Sequence, residues 1–246
     1  MALTWRGRRQ LMYYIVGGVA AALVAYFIYQ ALFTTQASCR NGVQDEGEQR
    51  VDCGGVCSLV CKEDVRPAVV LWARAFEQDD GEYTAAAYIQ NNNPGAGARK
   101  AGYTFQLFDE KNELVVEQRG TIDIPPSPIV PILHTGIDTG TRDAVRTLFA
   151  FTDDLRWERA TEEIPTLRIQ NQRFVDGKLS GTLKNESRQN VRAQVTAVLF
   201  DGAGVARAAS KTTLNVPARG EEYVIFTFSP VPPGVTRAEL TVLPPF

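Results

Sequence analysis

One unbroken apolar block opens the chain, and short alternating runs follow it. Residues 11–33, "LMYYIVGGVAAALVAYFIYQALF", carry no charge, and Gln30 is their only strongly polar side chain. As a helix, these 23 residues reach about 34 Å, enough for a hydrocarbon layer of about 30 Å. Tyr13 and Tyr14 lie near one end and Tyr26, Phe27 and Tyr29 near the other, like the aromatic belts of a membrane span. The block predicts a retained transmembrane helix, because the apolar region of a secretory signal is only about 7–15 residues long. The alternatives are cleavage after Thr35-Gln36-Ala37 or lipidation of Cys39, although Gln36 stands where a lipidation signal has an aliphatic residue. Gly18 and Ala22 give a small-xxx-small face on which two such helices can pack.

Beyond residue 67 the period changes. "TFQLF" (104–108), "GTIDI" (120–124), "LSGTL" (179–183), "VTAVLF" (195–200) and "YVIFTF" (223–228) are short runs bounded by Gly, Pro, Asn and Asp, the pattern of antiparallel strands. Residues 141–160 are ambiguous. The runs also repeat. "YTFQLFDEKNELV" (103–115) parallels "VTAVLFDGAGVAR" (195–207), and Phe108, Asp109 and Pro125 recur as Phe200, Asp201 and Pro217, each 92 positions later. The chain is therefore expected to be mainly β, with a cytoplasmic tail (1–10), a transmembrane helix (11–33), a neck (34–66) and two tandem β-sandwiches (67–165 and 166–246) of the same strand order.

Charge orients this plan. Arg6, Arg8 and Arg9 precede the helix, whereas Asp45, Glu46 and Glu48 follow it. Positive flanks stay in the cytoplasm, so the neck and sandwiches are expected outside. A net charge of −2 gives no electrostatic footprint for nucleic acid.

All four cysteines fall in "CRNGVQDEGEQRVDCGGVCSLVC" (39–61), as Cys39, Cys53, Cys57 and Cys61. Outside the cytoplasm such a cluster predicts two disulfides, with three pairings open. The spacing lacks the paired knuckles of a four-cysteine zinc site and the C-x-x-C of a redox pair. Asn41, Asp45, Glu48 and Asp52 form a candidate calcium set, since hard cations take oxygen ligands from such turns; a solvated acidic loop is the alternative.

Two resemblances rest on these residues. The stretch Cys39, Asn41, Gly42, Asp45, Glu48, Asp52, Cys53, Gly54, Gly55, Cys57 and Cys61 resembles a short cysteine-rich module of bacterial surface proteins, which implies a stapled extracellular segment. Phe105, Leu107, Phe108 and Asp109, with Leu199, Phe200 and Asp201, resemble the FxLYD family of extracytoplasmic domains. Upstream, Gly181 and Asn185 fit the same pattern, where the first copy has Ala87 and Asn91. The repeats are also similar to sandwiches of the late-embryogenesis-abundant type. The FxLYD resemblance implies small antiparallel sandwiches of immunoglobulin-like architecture and no catalytic residues. Turn chemistry by itself gives Asp and Asn a reason to stand at these positions.

Catalytic constellations are missing from the sequence. His134 is the one histidine, expected at a strand end, and no nucleophile elbow, Walker loop or dinucleotide fingerprint occurs. The expectation is a non-enzymatic, membrane-anchored protein that presents its sandwiches to protein partners. An envelope spacer is the alternative, and a carbohydrate- or lipid-binding surface using Trp72, Tyr83 and Trp157 is a weaker one.

Overall fold

A computed structural model of the chain describes residues 5–33, 38–79, 81–161 and 163–246. The cleavage reading at Thr35-Gln36-Ala37 lies outside the described residues. The described chain is mainly β, with one long helix, and it divides into two compact units, residues 1–57 and 58–246.

In the first unit, α1 (Trp5–Phe33) contains a 23-residue segment, Gly7–Tyr29, long and apolar enough to cross a membrane. Its apolar side chains, Leu11, Ile15, Val19, Leu23 and Phe27 among them, are exposed around the whole helix. Such a helix satisfies its backbone internally and needs an apolar surrounding for its side chains. Arg9 lies over the Trp5 ring at 4.4 Å.

The second unit holds thirteen strands among its described residues. Seven come from its first half: β1 (Val69–Asp79), β2 (Glu82–Gln90), β3 (Ala96–Phe108), β4 (Leu114–Ile124), β5 (Ile129–Asp138), β6 (Arg146–Phe151) and β7 (Trp157–Arg159). Six follow: β8 (Leu167–Val175), β9 (Lys178–Asn185), β10 (Val191–Asp201), β11 (Ala206–Val216), β12 (Glu221–Thr227) and β13 (Val235–Leu243). The strands pair antiparallel in the orders β1-β2-β5 and β4-β3-β6, then β8-β9-β12 and β11-β10-β13, with β7 added beside β3. Adding seven to each label of the first pair of sheets gives the second pair. Residues 141–160, ambiguous in sequence, contain the edge strands β6 and β7. Their alternation is weak because only Phe149 and Trp157 among them are buried apolar residues.

Alternating positions put one face of each sheet inward. Tyr83, Ala85, Ala87 and Ile89 of β2 meet Tyr103, Phe105 and Leu107 of β3 in one core. Leu179 and Leu183 of β9 meet Val191, Ala193, Val195 and Ala197 of β10 in a second. A third core joins the halves. Trp72, Phe76, Ala86, Tyr88 and Leu133, on the outer face of β1-β2-β5, pack against Val198, Phe200, Ala206 and Ala209 on the outer face of β11-β10. This explains why β2 reads as a nearly continuous apolar run, as a strand covered on both faces does. Residues 58–66, expected in the neck, group with the second unit. Val60 donates its N–H to the Trp157 carbonyl at 2.8 Å, and Val60 and Val65 pack on the first core.

Candidate functional site

The neck is the first candidate. Cys39 is bonded to Cys57 across a Cα separation of 5.6 Å. Cys53 and Cys61 are disulfide-bonded as well, and no cysteine is free. The acidic residues fold the loop from within. Asp52 accepts the backbone N–H groups of Asn41 at 2.8 Å and Gly42 at 2.9 Å, one on each carboxylate oxygen. Asp45 Oδ2 accepts the Ser38 N–H at 2.8 Å and the Asn41 side-chain amide at 2.9 Å. Glu48 is buried, and its Oε2 accepts the N–H groups of Asp45 at 3.2 Å and Asp52 at 3.1 Å. Gly55 has φ +57°, and a Cβ there would lie 1.8 Å from the Gly47 carbonyl oxygen. The second glycine of "DCGG" is thus a steric requirement.

This arrangement accounts for Asn41, Asp45, Glu48 and Asp52 as turn-forming residues. Calcium asks for about six to eight oxygens turned toward one point, whereas Asn41 Oδ1, Asp45 Oδ2, Glu48 Oε2 and both Asp52 oxygens accept amide N–H groups of the loop. Cys39, Glu48 and Cys57 do place ligand-type atoms within 4.8 Å of one another. Both sulfurs belong to a disulfide, however, and a metal needs thiolates. Glu48 Oε1 rests 3.1 Å from the Cys57 sulfur, which has no proton to donate.

The repeated motif residues are the second candidate, and they too serve the structure. Asp109 Oδ1 accepts the N–H groups of Lys111 at 3.0 Å and Glu113 at 2.9 Å. Asp201 Oδ1 accepts those of Ala203 and Val205, both at 2.9 Å. Each carboxylate adds an arginine, Arg142 for Asp109 and Arg207 for Asp201. Asn112 and Gly204, each three residues on, both take positive φ. The Arg142 guanidinium, then the Glu113 N–H, holds the Asp109 carboxyl below its usual value. For Asp201 the Val205 N–H leads, and Arg207 adds to it.

Asn91 and Asn185, expected as strand-end turn formers, are buried clamps. The Asn185 amide donates to the carbonyls of Gln189 at 2.8 Å, Val216 at 3.2 Å and Pro217 at 2.9 Å, while its oxygen accepts the Ser187 N–H at 2.9 Å. The Asn91 amide donates to Ala96 at 2.9 Å and Pro125 at 3.4 Å, and its oxygen accepts the Asn93 N–H at 2.8 Å. The two prolines 92 positions apart therefore lie against the two asparagines. A Cβ at Gly181 would come within 2.8 Å of Leu240 Cδ1, so the Leu240 side chain would have to shift. Ala87 stands opposite Ile132 as Gly181 stands opposite Val224. Phe105 and Leu107 are fully buried, as is Leu199.

The junction core is the third candidate. Trp72 stacks on Tyr88 at 4.6 Å between ring centroids, and Phe200 meets both edge-on at 6.4 Å. Burial pushes the Tyr88 hydroxyl up to about 12. Lys211 donates to the Leu133 carbonyl at 2.7 Å, and burial lowers its pKa. His134, expected at a strand end, lies within β5, half-buried, with Nδ1 3.3 Å from the Tyr103 hydroxyl. Burial first, then Lys211, lowers its pKa. Of the aromatic residues considered for sugar stacking, Tyr83 and Trp157 are buried and Trp72 is half-buried in the junction.

No family model and no curated protein matches the chain. Among solved structures, the transglutaminase of red sea bream aligns over 74% of this chain and 30% of its own length, at 12% identity and a TM-score of 0.23. The chain thus spans less than a third of that enzyme, and a likeness this low transfers neither fold nor activity.

Proposed function

We propose that the chain is a single-pass membrane protein whose neck and β region lie outside the cytoplasm, where two tandem sandwiches of the FxLYD type present surfaces for protein–protein contact without turnover of a substrate. One observation carries this reading. The chemistry-bearing residues picked out by the sequence, from Asp45 and Asp52 to Asn185 and Asp201, are bonded to the chain's own backbone. The arginines at the N-terminal end of α1 and the oxidised cysteines support the orientation. The junction core favours a second reading, a stiff envelope spacer, because a buried apolar seam ties the two halves of the β region together.

Protease added to intact cells or spheroplasts tests the orientation. The expected outcome is digestion of residues 58–246 with the N-terminal tail protected, and a fully protected C-terminus would overturn it. Recovery of bound partners in a cross-linked pull-down separates the contact reading from the spacer reading.

A further inference from the structure

The junction core joins two different faces, and each face has an uncovered counterpart elsewhere in the chain. One side is the outer face of β1-β2-β5, with Phe76, Tyr88 and Leu133; the other is the outer face of β11-β10-β13, with Phe200 and Ala206. Strand pairing identifies the counterparts. Phe200 pairs with Ala206 and Arg237 as Phe108 pairs with Leu114 and Arg146. Both arginines lie over the phenylalanine ring, at 4.4 Å from Phe200 and 4.5 Å from Phe108. Likewise Leu133 pairs with Ala86 as Ile225 pairs with Ser180, and Phe76 with Thr84 as Val175 with Lys178.

The counterparts carry exposed apolar side chains. On β4-β3-β6 these are Leu114 (46% exposed) and Leu148 (45%), flanking Phe108. On β8-β9-β12 they are Val175, Tyr223 (62%) and Ile225 (50%). Arg119 stands beside Thr104 where Lys211 stands beside Thr196, and Lys211 binds the carbonyl of Leu133, whose counterpart is Ile225.

We propose that the outer face of β8-β9-β12 of one molecule docks on the outer face of β4-β3-β6 of a second copy, repeating between chains the contact made once within the chain. The two faces differ, so the contact is heterologous, and a bound pair leaves one face of each kind open. Such contacts build an open array or a ring rather than a closed two-fold dimer. Gln106 and Glu117 replace Val198 and Ala209 of the buried seam, with Gln106 donating to Glu117 at 2.8 Å. This more polar face makes the contact between chains weaker than the one within the chain and sensitive to concentration. The partner class proposed above is thereby narrowed to the chain itself, and this inference rests on that reading.

The test uses the full chain in detergent micelles, followed by mass photometry across a concentration series. The variants are Leu114→Lys, at the position whose counterpart Ala206 is buried in the seam, and Ile225→Lys, at the position whose counterpart Leu133 is buried there. Both sites are exposed, so the fold is retained. Wild type is expected to form a ladder of dimers, trimers and larger species, each single variant to be monomeric, and an equimolar mixture of the two to stop at 1:1 dimers. A photo-reactive residue at Tyr223 should cross-link to a peptide containing Leu114 or Leu148 of another copy. Monomers at every concentration would overturn the proposal, as would a fixed dimer unaffected by either variant, the behaviour of pairing through Gly18 and Ala22 of the anchor. Failure here leaves the topology result untouched, so the two readings fail separately.

Discussion

Phe108 and Phe200 stand at the same place in two copies of one strand pattern, each under an arginine, yet one is half-buried and the other is buried against Trp72 and Tyr88. The motif itself does not decide this. Both residues point away from the core of their own sheets, where Leu107 and Leu199 are fully buried. The difference comes from what lies beyond: Trp72 and Tyr88 for Phe200, and no equivalent aromatic pair for Phe108 among the described residues. Within a repeat, the inward positions and turn residues fix the fold. The outward positions then set which surface is covered.

The largest effect expected separates the two phenylalanines. Phe200→Ala removes a buried ring from the junction and should cost about 3–5 kcal/mol. Phe108→Ala removes a half-exposed ring and should cost about 1 kcal/mol. Urea unfolding followed by tryptophan fluorescence reads both, because Trp72 lies in the junction and Trp157 in the first core. Equal losses would mean that burial in the junction adds nothing to what the Phe200 ring contributes.

The asparagine clamps come next. Asn185→Ala removes three hydrogen bonds to carbonyls, although Pro217 keeps the Gly220 N–H and Gln189 keeps the Ser187 hydroxyl, and each hydrogen bond contributes about 1 kcal/mol net. A loss of about 3 kcal/mol is expected on that scale, and less for Asn91→Ala, where two carbonyls are affected and one bond is long at 3.4 Å. Hydrogen exchange should show the amides around the Pro217 turn opening first in Asn185→Ala. A smaller effect is expected at the glycine. Gly181→Ala should cost about 1–2 kcal/mol, since Leu240 has to move. Ala87→Gly in the other copy should cost about 1–2 kcal/mol, through backbone freedom and the buried methyl it removes.

Much of this fold can be read in the residues. The uncharged block marks the helix, alternation marks the inner faces of β3 and β10, and the constant offset of 92 between Phe108 and Phe200 and between Pro125 and Pro217 matches the shared strand order. The role of Asn185 was not legible, because a strand-end asparagine reads as a local turn former, and its partners at Val216 and Pro217 are distant in sequence. The junction escaped for a similar reason. Trp72 and Tyr88 alternate out of phase with their own core, and only the fold brings Phe200 to them. His134 lies inside a strand rather than at its end, because β5 continues through Thr135 and Gly136 to Asp138.

The smallest effect concerns the two aspartates, and here the leading causes differ. Both carboxyls are held below their usual value, so folding favours the charged form. Each therefore adds stability that is fully present above the ordinary aspartate pKa of about 3.9 and is lost as pH falls through the lower folded value. The Asp109 shift is led by the Arg142 guanidinium, an exposed ion pair that salt screens. The Asp201 shift is led by the Val205 backbone N–H, a fixed dipole at short range. Raising the salt concentration should move the NMR-monitored titration of Asp109 toward its ordinary value more than that of Asp201. In melting curves between about pH 5 and 2, a range set around the ordinary value, Asp109→Asn and Asp201→Asn should each flatten the loss of stability. Asp109→Asn should lose that effect at high salt and Asp201→Asn should keep it. Equal salt sensitivity at both sites would show that the arginine governs both turns, and equal insensitivity that the backbone does.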